Sequence, residues 1–66
     1  MLTEQEIMNN AFKDMQFREE NMAKKYAQLS NQITDPKQQG ILKGMEQGAR
    51  NNYNTLSHIM SKFSIV

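Results

Sequence analysis

The chain has 66 residues, with six Met, one Pro, no Cys and no Trp, which is material for one domain at most. A chain near this length buries only about 60% of the surface its unfolded form exposes, so a monomer with a deep substrate pocket is not expected. The lack of cysteine excludes a disulfide framework, a thiolate metal site and a cysteine nucleophile. Eight basic and seven acidic residues leave a net charge of +1, so no nucleic acid and no anionic membrane surface is expected as a partner.

The opening Met-Leu-Thr-Glu-Gln-Glu lacks the basic and apolar regions of a signal peptide. No apolar run approaches the roughly 18 residues of a transmembrane helix. A cytoplasmic location without a membrane partner is the expectation. Seven Asn and seven Gln are nearly as numerous as the 15 charged residues, so the solvated faces are partly uncharged, as suits packing against other proteins.

The first element opens at Thr3, where Thr3 and Glu6 have the spacing of a capping box. Gly and Pro are then absent until Pro36, which predicts a helix over about residues 4 to 33, some 45 Å long. Asp35-Pro36 provides the break, because the residue before proline is pushed out of the α region. Asp35 as N-cap and Pro36 at the first helical position then start a second helix, with Gln38 at the third position of a capping box. This helix is predicted over about 36 to 62, some 40 Å. Two helices of matched length across a turn near 34–35 predict an all-α, antiparallel two-helix hairpin.

Apolar periodicity strengthens that expectation. In the first helix Met8, Phe12, Met15, Glu19, Met22, Tyr26, Leu29 and Ile33 alternate spacings of 4 and 3. In the second, Leu42, Met45, Ala49, Asn52, Leu56, Ile59 and Phe63 alternate 3 and 4. Both are heptad seams of the kind that pack about 20° from antiparallel. They are expected to form the core and the dimer contact, not a cofactor site. Burying a Leu or Met stabilises by about 1.5–3 kcal/mol, whereas ordering costs about 1–2 kcal/mol per residue of backbone. Two helices alone do not close that gap, so a homodimer forming a four-helix bundle is expected.

Two polar residues interrupt the seams. Glu19 and Asn52 have numbers that sum to 71, which places them at one level of a hairpin turning near residue 35. An unpaired buried carboxylate is expensive. Glu19 is therefore expected either to accept from the Asn52 amide or to pair with Arg18 or Arg50 across the dimer, forming a polar layer that sets register. The functional alternative makes Glu19 part of a carboxylate metal site.

The segments Phe17-Arg-Glu-Glu-Asn-Met-Ala-Lys-Lys-Tyr26, Ile33-Thr-Asp-Pro36 and Ile41-Leu-Lys-Gly-Met-Glu46 resemble the rubrerythrin-type half of ferritin-like proteins. They resemble still more the short ferritin-like proteins related to spore coat protein F of endospore-forming bacteria. Shared features are the Leu-Thr-Glu start, a Glu seven residues before a Tyr, and the Asp-Pro break; the likeness spans roughly residues 2 to 60. It implies a ferritin-like four-helix bundle and association with the spore coat and other coat proteins. Glu19 falls on the family's first-helix ligand and Tyr26 on its Tyr, but the second-helix Glu-x-x-His falls on Ala49 and Asn52. A di-iron site in this fold needs that motif. His58 lies two positions beyond Leu56, on the expected outer face, and does not replace it. No metal site and no cofactor are therefore expected, and the family's redox chemistry is not carried over.

Gly40, Gly44 and Gly48 recur every four residues, at about 0.8–1 kcal/mol each relative to Ala inside a helix. They imply either close approach of a neighbouring helix or a loose end of the second helix; they do not fit a phosphate loop. Ser57 and Ser61 have no His or acid at catalytic spacing, and the four basic and one acidic residues of 36–66 read as solvated charge. Phe17 falls off the seam and, with Ile7, could mark a second contact surface. The C-terminal Ser64-Ile65-Val66 adds apolar character that could cover the end of a bundle. The resulting expectation is a non-enzymatic structural or assembly protein. The alternatives are a metal-binding or redox remnant using Glu19, and a small helical adaptor for another protein.

Overall fold

A computed structural model describes residues 1–63, and the C-terminal Ser64, Ile65 and Val66 lie outside the described residues. Two helices, α1 (Glu4–Gln32) and α2 (Pro36–Lys62), fold back on each other as an all-α hairpin. Thr3 starts α1 with a complete capping box. Its hydroxyl accepts from the Glu6 amide at 3.1 Å, and the Glu6 carboxylate accepts from the Thr3 amide at 3.2 Å. Glu4 and Glu6 place negative charge on the first turn, where the helix dipole favours it.

Gln32 is the last residue of α1, and Ile33 is its extended C-cap rather than a helical residue. Asp35 then accepts from the Gln38 amide at 3.0 Å, with Pro36 in the first turn of α2. The missing proline N–H is harmless there because that donor has no intrahelical partner. Gln39 ties the corner together. Its side-chain amide donates to the carbonyls of Ile33 at 2.6 Å and Ser30 at 3.2 Å. One side chain of α2 thus satisfies carbonyls that the end of α1 would otherwise leave open.

The seam between the helices differs from the predicted stripe by a rotation of each helix. On α1 it runs through Asn9, Phe12, Gln16, Glu19, Ala23, Tyr26, Ser30 and Ile33; on α2, through Gln39, Leu42, Glu46, Ala49, Tyr53, Leu56 and Met60. These positions alternate 3 and 4, as the predicted set does, and share Phe12, Glu19, Tyr26, Ile33, Leu42, Ala49 and Leu56 with it. Met8, Met15, Met22, Leu29 and Met45, expected in the seam, are exposed, as is Phe63 beyond the end of α2. Ile59 is half-buried on the flank.

Side-chain size explains the rotation. Ala23, Ser30 and Ala49 are the most enclosed of the described residues, at 2%, 4% and 5% exposure. Small residues at the contact let two helix backbones come together, which a Met–Met contact would prevent. Met8, Met15, Met22 and Met45 are displaced to one flank, while Met60 stays in the seam. Enlarging the contact should be unfavourable, since overpacking costs about 1–3 kcal/mol. Ala49→Leu is expected to lower stability by that amount in urea unfolding at fixed protein concentration. An unchanged midpoint would show that the helices are not in close contact there.

Candidate functional site: an apolar face divided by a polar layer

The hairpin is a single layer of helices, 50 × 22 × 11 Å in extent, and its two broad faces are chemically different. One is polar. There the Gln16 amide donates to the Ser57 hydroxyl at 2.7 Å, bridging the helices, and Arg50 pairs with Glu46 at 2.8 Å along α2. A groove on this side is lined by Glu19, Glu20, Ala23, Arg50, Tyr53 and Asn54, so Glu19 borders both faces.

The other face is apolar. Met8, Met15, Met22 and Leu29 follow one another at intervals of seven along α1. Opposite them, α2 presents Ile41, Met45, Gly48, Asn52, Thr55 and Ile59, again spaced 4 and 3. Shallow grooves on this face are lined by Met15, Arg18, Glu19, Asn52, Thr55 and Leu56, and by Glu19, Met22, Tyr26, Met45, Gly48, Ala49 and Asn52. Met15, Met22 and Met45 are 38%, 47% and 44% exposed, and Ile41 reaches 63%. Ile41 is absent from the predicted stripe. Its spacing of four before Met45 was the available signal, masked by the stronger match of Leu42 to the seam.

Glu19 and Asn52 lie at the centre of this face. The Asn52 side-chain amide donates to the Glu19 carboxylate at 3.3 Å, and Glu19 is half-buried while Asn52 is open to solvent. Arg18 and Arg50 are engaged elsewhere: Arg18 with Asp14 at 2.9 Å and Arg50 with Glu46. Ala49 sits in the seam beside Asn52, and His58 is exposed. Among the described residues no group of three or more His, Cys, Asp or Glu side chains is gathered to hold a metal ion.

The three glycines find no neighbour within the hairpin. A Cβ built at Gly40, Gly44 or Gly48 would meet nothing within 4 Å, so packing of α1 on α2 does not require them. Phe17 and Ile7 are exposed and lie away from the apolar face. No helix among the described residues is long and apolar enough to cross a membrane. Compared with known proteins, the chain matches no family model, no curated protein and no solved structure.

The site brings together an amide, a carboxylate and a broad thioether surface. Asn52→Asp would set a second carboxylate against Glu19. Two like charges about 4 Å apart repel by about 1 kcal/mol in water and more near a protein surface. The variant is expected to be less stable than the parent by about 1 kcal/mol at neutral pH, with the gap narrowing at high salt as the repulsion is screened. Denaturant midpoints measured across ionic strength check this; a salt-independent gap would remove electrostatics as the cause.

Proposed function

We propose that the protein is a non-enzymatic assembly protein whose hairpin dimerises through its apolar face into a four-helix bundle. The observation that carries this reading is the amount of exposed surface. A compact folded chain of 7.7 kDa should expose about 4,300 Å²; this one exposes 5153 Å². The excess, about 800 Å², is similar in size to the share one partner contributes to a standard protein–protein interface. The broad face, 50 × 22 Å, has the room for it.

Helix patterning supports the same conclusion. A helix in a four-helix bundle needs an apolar stripe about three positions wide per heptad, whereas a helix in a two-stranded contact needs two. On α1 the positions of Met8, Phe12 and Asn9 each recur every seven residues, and the hairpin contact uses only the last two sets. The Met set is surplus to the hairpin, and a second copy would give it a use. The resemblance to ferritin-like spore coat proteins is in keeping with a structural role and suggests coat proteins as further neighbours and spore association. It remains part of the proposal.

Native mass spectrometry of the untagged protein tests the proposal in one spectrum. A metal-free dimer is the expected species. Stoichiometric iron, manganese or zinc would instead favour a carboxylate metal site at Glu19, and a stable folded monomer at micromolar concentration would favour an adaptor whose face awaits another protein. Met22→Glu should weaken the dimer at least tenfold in sedimentation equilibrium, because it buries a charge without a partner. Phe17→Glu, away from that face, should leave the dimer unchanged. Equal effects from both substitutions would place the contact elsewhere.

A further inference from the structure

We infer that the two hairpins of the dimer lie with their interhelical corners at the same end, so that α1 of each copy packs across α2 of the other and each Glu19 receives the amides of both Asn52 side chains. The inference rests on the dimer proposed above and specifies its geometry. Two face-to-face arrangements obey two-fold symmetry. In one the corners are together and α1 faces the partner's α2. In the other the corners are at opposite ends and each helix faces its own copy.

Side-chain levels distinguish them. Glu19 and Asn52 are bonded across the hairpin, so residues whose numbers sum to 71 share a level. The Gln16–Ser57 and Gln39–Ser30 bonds on either side have sums of 73 and 69, which keeps the register along the hairpin. Met45 is then level with residue 26, Asn52 with residue 19 and Ile59 with residue 12. The outward residues of α1 are at 8, 15, 22 and 29. With corners together, each α2 side chain falls midway between two from the partner's α1, as knobs packing into holes require. With corners apart and the axis at mid-face, level 15 meets level 23 and level 8 meets level 30. Met15 then meets the partner's Met22 nearly head-on, and Met8 meets the partner's Leu29.

Charge selects the same arrangement. With corners apart, Glu19 faces the partner's Glu19 and Asn52 faces the partner's Asn52, which juxtaposes two carboxylates in an apolar layer. With corners together, each carboxylate faces an amide donor from both copies. Sliding the hairpins along each other to separate the carboxylates would leave apolar residues overhanging at both ends. A polar pair within an apolar seam commonly specifies orientation in this way.

The chain has no cysteine, so a single introduced thiol can be labelled uniquely. Thr34→Cys, in the exposed corner between α1 and α2, carries a nitroxide for pulsed dipolar spectroscopy on samples whose dimer is confirmed by native mass spectrometry. Lys37→Cys, also exposed at that end, provides a second label site should the first perturb folding. With corners together the labels lie within about 25 Å, two helix diameters. With corners apart they lie about 45 Å from each other, from the 1.5 Å rise over the residues separating the corner from mid-face. The short distance is expected. A dimer showing the long distance would overturn the inference while leaving the proposed function standing, and a monomer would overturn both.

Discussion

The close approach of α1 and α2 at Ala23 and Ala49 governs the rest of this structure. Two helices can meet along only one line, and these small residues bring that line close to the backbones. Most of the methionines lie on one flank, and the Gln16–Ser57 bond and the Arg50–Glu46 pair lie on the other. An 11 Å layer has no interior in which to hide the apolar flank. Its stability therefore rests on a narrow seam of half-buried side chains, reinforced by the caps at Thr3 and Asp35 and by Gln39 at the corner.

Much of this architecture was legible before the structure. Capping residues, the Asp35-Pro36 break and the absence of other breakers are local signals, and local hydrogen bonding obeys them. The pairing of Glu19 with Asn52 was also accessible, because a turn at a known residue sets the level of every residue on both arms. Helix rotation was not. Met8 and Asn9 both keep heptad register with Phe12, and hydropathy favours Met8. The contact takes Asn9, Gln16, Ala23 and Ser30 instead, with Gln16 held by its bond to Ser57 and the small Ala23 and Ser30 enclosed between the helices. A pattern that scores hydrophobicity cannot see that preference until a second helix is present.

The candidate site shows the same division. The polar pair was readable as an interruption of a stripe. That the stripe divides into a seam and an open face was not, because the hairpin contact takes the Phe12 set together with the mostly polar set of Asn9, Gln16, Ala23 and Ser30, and leaves the Met8 set over. Gly48 and Ile41 acquire significance only when the open face is seen, one as a position without a neighbour and the other as its most exposed aliphatic side chain. Ala49 and Asn52 serve the same centre differently, one enclosed in the seam and the other hydrogen-bonded to Glu19.

The composition of the open face has a chemical consequence apart from packing. Its aliphatic surface is built largely of methionine, and a thioether, unlike a leucine side chain, can be oxidised to a polar sulfoxide and reduced again by enzymes. Met8, Met15, Met22 and Met45 are all exposed in the single hairpin. Each oxidation would remove apolar character from the surface while leaving the Ala23–Ala49 seam and the capped helix ends intact. The fold and its exposed face therefore differ in their vulnerability to peroxide: the helices would persist under conditions that erase the surface's hydrophobicity.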